Sequence, residues 1–182
     1  MILSDRKLIE LIEKHKVIKI EPYSREYLDD VSYELHLSSE FVSIDYLNTP
    51  VIDVGDLSKL KYKRFNSDKI VVQPHHFVLG RSLEWVELPS NITAFVSGKS
   101  SLARLGLQVH AAALIHPGSR GHVVLEIFNH NNVPIILRKG MAIAQLVFFE
   151  NNEPIEDYAE RKGLYLNQKR IELPREISFF VQ

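Results

Sequence analysis

A chain of 182 residues, 45% hydrophobic and 25% charged, is long enough for one sizeable core and has the balance of an ordinary globular protein. Its formal net charge of −1 gives no overall pull toward nucleic acid or a membrane surface, so any anion binding has to be local. The absence of cysteine removes disulfides, thiolate nucleophiles and cysteine-bound metals from consideration.

Ser4 before Asp5 reads as a helix cap, and Leu8, Ile9, Leu11 and Ile12 recur at helical spacing through about His15, which predicts a short amphipathic helix. Val17-Ile18-Lys19-Ile20 reads as a strand before Glu21-Pro22, and Ser32-Tyr33-Glu34-Leu35-His36-Leu37 alternates at period two. Residues 41–44 and 51–54 are further short strand candidates, with Asn48, Pro50 and Gly55 as punctuation. Residues 59–69 are lysine-rich and weakly patterned, the signature of a solvated face or an exposed loop. Ile70-Val71-Val72 and Phe77-Val78-Leu79 flank Pro74-His75-His76. Adjacent histidines cannot share one strand face and no third ligand lies at metal spacing, so no zinc site is expected there. Residues 83–88 form a strand candidate that ends at Pro89, and Ile92-Thr93-Ala94-Phe95-Val96 leads into the central stretch.

That stretch is polar where its neighbours are apolar. Ser100 and Ser101 precede Leu102-Ala103-Arg104-Leu105 and Gly106, which predicts a capped single helical turn. Its free N–H groups, with Lys99 and Arg104, favour an anion, phosphate being the natural guest. Pro117-Gly118 and Gly121 mark a turn before residues 122–128, a run apolar on both faces and so expected to be a buried strand. Glu126 stands in its middle, where a carboxylate must be paired or hold its proton more tightly. Either state suits a general acid or base, and a plain ion pair with Arg104 is the structural alternative. His110 reads as a core histidine.

After a strand candidate at 133–137 and a turn at Lys139-Gly140, residues 141–149 are a further apolar run. Many short strands separated by Gly, Pro and Asn predict a mainly β sandwich or barrel, in one domain spanning residues 1–182. Residues 157–170 are polar, basic and carry Tyr158 and Tyr165, which suits a surface helix or tail. Ile177, Phe179, Phe180 and Val181 must pack somewhere, another subunit being one option. Asp5, Arg6 and Lys7 precede any apolar run and no segment approaches spanning length, so a cytoplasmic protein is expected.

Gly98-Lys99-Ser100-Ser101-Leu102-Ala103-Arg104-Leu105-Gly106-Leu107, then His110, Pro117-Gly118 and Val124-Leu125-Glu126, form an ordered set that resembles the dCTP deaminases of the dUTPase superfamily. Ser32-Tyr33-Glu34-Leu35, Glu87-Leu88-Pro89, Gly140-Met141 with Gln145, and the segment from 158 to 168 are similar in order and spacing. The resemblance implies a distorted β-barrel or jelly-roll-like subunit of dUTPase type with a short N-terminal helix. It also implies a homotrimer with active sites between subunits, and residues 157–182 as a C-terminal segment that closes over the nucleotide. The implied reaction is hydrolysis of dCTP to dUTP and ammonia within pyrimidine deoxynucleotide metabolism, with Mg²⁺ carried on the triphosphate. dUTP and dTTP are further implied ligands, and some members cleave dUTP onward to dUMP and pyrophosphate.

Zinc deaminases hold their metal with histidine and cysteines in an H-x-E and P-C-x-x-C pattern, which a chain without cysteine cannot supply. A zinc-free route needs a positioned water and a carboxylate that takes its proton as oxygen attacks C4 of cytosine. By resemblance that carboxylate is Glu126, with Ser100 and the backbone carbonyl of Ala113 holding the water and Arg104 orienting Glu126. Lys99 and Ser101 resemble phosphate contacts, His116 stands at the deoxyribose position, and Tyr158 and Gln168 belong to the closing segment. The chain departs from the family pattern in having His116 where aspartate is usual, Lys99 for arginine, Leu164 for a lysine and Ala112 for a threonine. A dUTP pyrophosphatase of the same superfamily and a nucleotide-binding relative without turnover remain as alternatives.

Overall fold

The computed structural model describes residues 1–109 and 112–177. The chain opens with helix α1 (Asp5–Ile9), which runs on into a π-helical turn (Glu10–Lys14) and buries Leu8 and Ile12, one turn apart on the same face. Ser4 stands at its N-cap, but the side chain makes no capping bond.

Eleven strands are assigned in the described residues, all paired antiparallel: β1 (Lys19–Glu21), β2 (Ser32–Ile44), β3 (Tyr62–Asn66), β4 (Lys69–Val72), β5 (Phe77–Glu87), β6 (Ile92–Gly98), β7 (Leu107–Gln108), β8 (Leu114–Ile115), β9 (Arg120–Asn129), β10 (Ile135–Arg138) and β11 (Ala142–Glu150). A second helical turn, α2 (Ser100–Ala103), lies between β6 and β7. The main sheet runs β7-β9-β5-β2-β11-β6-β8, with β1 added on β5 and β3 on β2, while β10 and β4 form a separate ribbon.

The long strand β2 is the pivot of this sheet. Its first half pairs with β11, from Ser32↔Val147 to His36↔Ala142, and its second half pairs with β5 at Leu37↔Ser82 and Phe41↔Gly80. Register shifts occur in both pairings, between Ala142 and Ala144 on β11 and between Leu37 and Phe41 on β2. Such irregularities add local twist and bend a strand, and here they accompany the curl of the sheet into a half-barrel. Tyr33, Leu35, Leu37 and Phe41 from β2, Leu125 and Ile127 from β9, and Ile143, Leu146 and Phe148 from β11 fill its inside, each essentially removed from solvent. Mainly β architecture with a short N-terminal helix is therefore what the chain adopts.

Several local expectations are corrected. The candidates at 32–37 and 41–44 are one strand, as are 77–79 and 83–88, because sheet partners carry both across their weakly patterned middles. Residues 51–54 form no strand: the Asp53 carboxylate accepts the Gly55 N–H at 2.9 Å, and Asp56 caps the following turn through Ser58 N–H at 3.0 Å. The lysine-rich stretch contains β3, held by backbone pairing to β2 despite its exposed cations.

One charged cluster is buried in the barrel wall. Glu84, 1% exposed, accepts from the His36 backbone N–H at 2.9 Å and meets His36 Nδ1 at 2.7 Å, which ties β5 to β2. Ser82 Oγ donates to the Glu84 carbonyl at 2.7 Å and accepts the Val123 N–H at 2.9 Å, which extends the network to β9. Among the described residues no helix is long and apolar enough to cross a membrane.

Candidate active site

Strand β9 is not buried on both faces. Its burial alternates, with Val123, Leu125 and Ile127 inside and His122, Val124 and Glu126 on the half-exposed face. The apolar run concealed this because Val124 and Phe128 are hydrophobic residues on the outward side. The expectation of a buried Glu126 is thus corrected: the carboxylate lines a cavity of about 790 Å³ together with Ala112, His116, Arg120, His122, Val124, Tyr158, Arg161, Lys162 and Gln168. The Ala112 backbone N–H donates to Glu126 Oε2 at 2.9 Å. A second, apolar cavity of about 700 Å³ abuts the first, and Glu126, Ala112 and Leu79 line both.

The closing segment folds across the open side of this cavity. Tyr158 N–H donates to the Pro117 carbonyl at 2.9 Å, Asn167 N–H to Arg120 at 2.8 Å, and His122 N–H to Gln168 at 2.9 Å. Gln168 Nε2 returns a bond to the His122 carbonyl at 3.2 Å. Farther on, Ile171 N–H reaches Glu40 Oε1 at 3.2 Å and its carbonyl accepts from Arg64 Nη2 at 2.6 Å. Among its described residues the segment has neither a helix nor the character of a free tail; it is a turn-rich strap pinned by backbone bonds. Ile177 is exposed at its described end, and Phe179, Phe180 and Val181 lie outside the described residues.

Gly121 explains why the strap can lie so close. A Cβ there would stand 2.8 Å from the Gln168 backbone nitrogen, and its φ of +147° already disfavours a side chain. Gly121→Ala is therefore expected to lift the strap while sparing the barrel. Hydrogen exchange at the His122 and Asn167 amides should rise about tenfold or more, with the β5 amides unchanged; unchanged protection at both strap-bound amides would show that the glycine is dispensable.

Tyr158 is held from several sides. Its ring stacks on His116, centroids 5.3 Å apart and 4° from parallel, and its hydroxyl accepts the Tyr165 N–H at 2.9 Å. Gly163 passes directly beneath the ring, where a Cβ would fall 2.2 Å from Tyr158 Cζ. His116 is held below the usual imidazole pKa, first by burial and then by the Arg161 charge, so the neutral ring is favoured. His122 is lowered likewise, by burial and by Arg81. Its Nδ1 contacts the Glu84 carbonyl at 3.0 Å; a carbonyl can only accept, so Nδ1 carries the proton there.

The other predicted site residues stand apart. Lys99, the N-cap of α2, is paired with Glu34 of β2, and no side-chain capping bond is made there, so Ser100 and Ser101 are helical residues and not caps. Ser100, Ser101 and Arg104 are exposed, and neither they nor Lys99 line the cavity that holds Glu126. The Ala113 carbonyl accepts the Val96 N–H at 2.9 Å, and Ala113 does not line the cavity that its neighbour Ala112 lines. His110 lies outside the described residues. One chain thus brings together Glu126, Ala112, His116, Tyr158 and Gln168, and leaves the α2 group elsewhere.

The dCTP deaminase-like family model matches residues 2–151, which is most of the chain. This chain belongs to the dCTP deaminase-like family. Among its curated relatives, a protein of Nanoarchaeum equitans named "dCTP deaminase, dUMP-forming" is 40% identical, covering 93% of this chain and 94% of its own. One of the same name from Aquifex aeolicus is 39% identical over 94% of this chain and 92% of its own. Among solved structures, the 2'-deoxycytidine 5'-triphosphate deaminase of Agrobacterium tumefaciens superposes with a TM-score of 0.62 at 22% identity over 85% of this chain and 49% of that one. A dUTPase variant from phage phi11 of S. aureus, described with a structural Mg(II) ion, gives 0.52 at 12% identity over 75% of this chain and 92% of that one. At these identities the two structures speak to fold alone, while the relatives make this family member a deaminase.

For a deaminase of this family, sequence reasoning missed Arg120, Arg161, Lys162 and His122 as cavity residues. His122 could have been found, since it stands four positions from Glu126 on one strand face. The strap cations could not, because only the fold brings them onto β9.

Proposed function

We propose that the chain deaminates the cytosine ring of dCTP, with Glu126 as general acid and base. Glu126 takes a proton from water as the oxygen attacks C4 and passes it to the ring nitrogen; it then takes the proton of the new C4 hydroxyl and delivers it to the amine, so that the C–N bond breaks, the C4 carbonyl forms and ammonia leaves. The observation that carries this reading is the place of Glu126, held by the Ala112 N–H at 2.9 Å between a cavity that carries Arg120, Arg161 and Lys162 and an apolar one. Leu79 and Val124 offer flat apolar walls suited to a pyrimidine, while the His116 and Tyr158 rings and the strap cations suit sugar and phosphates. In this reading the Ala112 carbonyl takes the water-holding role, and Ser100 and Arg104, with Lys99 and Ser101 toward the phosphates, come from a neighbouring copy. That requirement calls for an oligomer, and the homotrimer implied by the resemblance would meet it. Mg²⁺ fits as an ion carried by the triphosphate, whose charge it screens: apart from Glu126 and Glu172 the charged groups of the cavity are cationic, a donor set for phosphate oxygens.

A second reading concerns the product. The sequence resemblance leads with dUTP, yet the Nanoarchaeum and Aquifex relatives are both named dUMP-forming, which favours onward loss of pyrophosphate before release. His116, neutral and in the cavity, can accept a proton or a hydroxyl hydrogen where the family's aspartate would. Incubating the purified protein with dCTP and Mg²⁺ and measuring ammonia and pyrophosphate separately tests both readings. Ammonia with equal pyrophosphate is the expected result; ammonia alone would restore dUTP as the product, and no ammonia would remove deamination.

A further inference from the structure

The cavity's cations differ from those the sequence singled out. Lys99 is engaged by Glu34 and Arg104 lies off the cavity, so neither serves the phosphates of a nucleotide bound against Glu126 in the same chain. Leu164, which also lines the cavity, has no charge to offer. Arg161 lines it too, forms no ion pair with a carboxylate among the described residues, and stands over the Tyr158 ring at 5.3 Å from its centroid. Of the cavity's two carboxylates, Glu126 is on the β9 side and Glu172 meets Arg175 at 3.6 Å.

We propose that Arg161 binds the triphosphate of the substrate, a role that rests on the dCTP reading and adds to it a residue this chain supplies from its own strap. Three observations converge on it. The guanidinium lies over the Tyr158 ring, a cation–π contact that favours this position, and Tyr158 is itself contacted by His116, Gly163 and the Tyr165 N–H. A planar fork without a carboxylate partner matches two phosphate oxygens at once, which an ammonium cannot do. Finally, Arg161 and His116 share the Tyr158 ring and the cavity, so a nucleotide whose sugar meets His116, as the dCTP reading has it, carries its 5′-triphosphate within the same cavity as the guanidinium. Lys162, its neighbour in the cavity, adds charge without the stack.

Calorimetric titration of the full chain with Mg²⁺ and inorganic tripolyphosphate tests this, comparing wild type with Arg161→Lys, Arg161→Gln and Arg161→Ala. Glutamine keeps the stem and a planar amide for packing on Tyr158 but loses the charge. Tripolyphosphate affinity should fall in the order arginine, lysine, then glutamine and alanine together, by about ten- to hundredfold for the last two. KM for dCTP should rise by a similar factor, with kcat within about threefold. Wild-type affinity in Arg161→Gln would show that Arg161 only packs on Tyr158, and a wild-type chain indifferent to tripolyphosphate would equally overturn the proposal. Absence of ammonia release from dCTP by wild type would instead remove the substrate reading, while the tripolyphosphate titration would still decide the role of Arg161.

Discussion

Glu126→Gln is expected to lower ammonia release from dCTP by about 10³-fold or more while nucleotide binding falls by no more than a few-fold. Glutamine keeps the length of the side chain and an oxygen that can still accept the Ala112 N–H, so the local frame should persist. What it loses is the ability to take a proton from water and return it, and removal of a positioned acid or base costs on the order of 10²- to 10⁴-fold. Glu126 is asked to carry two protons in succession, each taken up and given away, which places it at the upper end of that range. Ammonia assay under saturating dCTP, with binding of the nucleotide followed by calorimetry, separates the two effects. Turnover within tenfold of wild type would mean that another group moves the proton, and the proposed mechanism would be abandoned.

The second large effect concerns the barrel wall. Glu84→Ala should destabilise the fold by about 3 to 5 kcal/mol, the cost of leaving two buried donors without an acceptor together with the cavity that the side chain vacates. The His36 N–H and Nδ1 both lose their acceptor at a site where Glu84 is 1% and His36 8% exposed, and a void remains between β5 and β2. Glu84→Gln keeps the volume and one acceptor and should cost less, about 1 to 3 kcal/mol. Urea unfolding monitored by circular dichroism measures both, and the pair with His36→Ala forms a double-mutant cycle. A loss below about 1 kcal/mol in Glu84→Ala would show that water or rearrangement replaces the contact, making the pair incidental to the wall. Because β2 carries the bend of the sheet, weakening it should also loosen the cavity face of β9, to which the same network is joined through Ser82 and the Val123 N–H.

Much of the chemistry was legible in residue order. The Gly98 to Gly106 stretch, Pro117-Gly118 and Glu126 mark the family, and the lack of cysteine already set aside a zinc centre of histidine and cysteines. These features are local: a turn needs its glycine and a proton carrier needs its carboxylate, wherever the rest of the chain goes. The alternation in the first half of β2 and the opening helix were legible for the same reason, since periodicity is set by near neighbours; the alternation of β9 was not, because Val124 and Phe128 put apolar side chains on its outward face. The strand at 62–66 was not, because its stability comes from backbone pairing with β2 while its side chains advertise solvent.

Tertiary structure alone decided how the site is assembled. No local pattern places residues 157–168 over β9; that contact depends on Gly121 being small enough for Gln168 to lie against it, some fifty residues away along the chain. The stack of Tyr158 on His116, and the place of Arg161 beside them, follow from that long-range contact. The separation of α2 from Glu126 within one chain also had to be seen in three dimensions. Residue types thus determined which reactions are available, because chemistry belongs to the side chain, whereas the fold decided which groups meet, because sheet pairing and the strap join segments that share no local interaction.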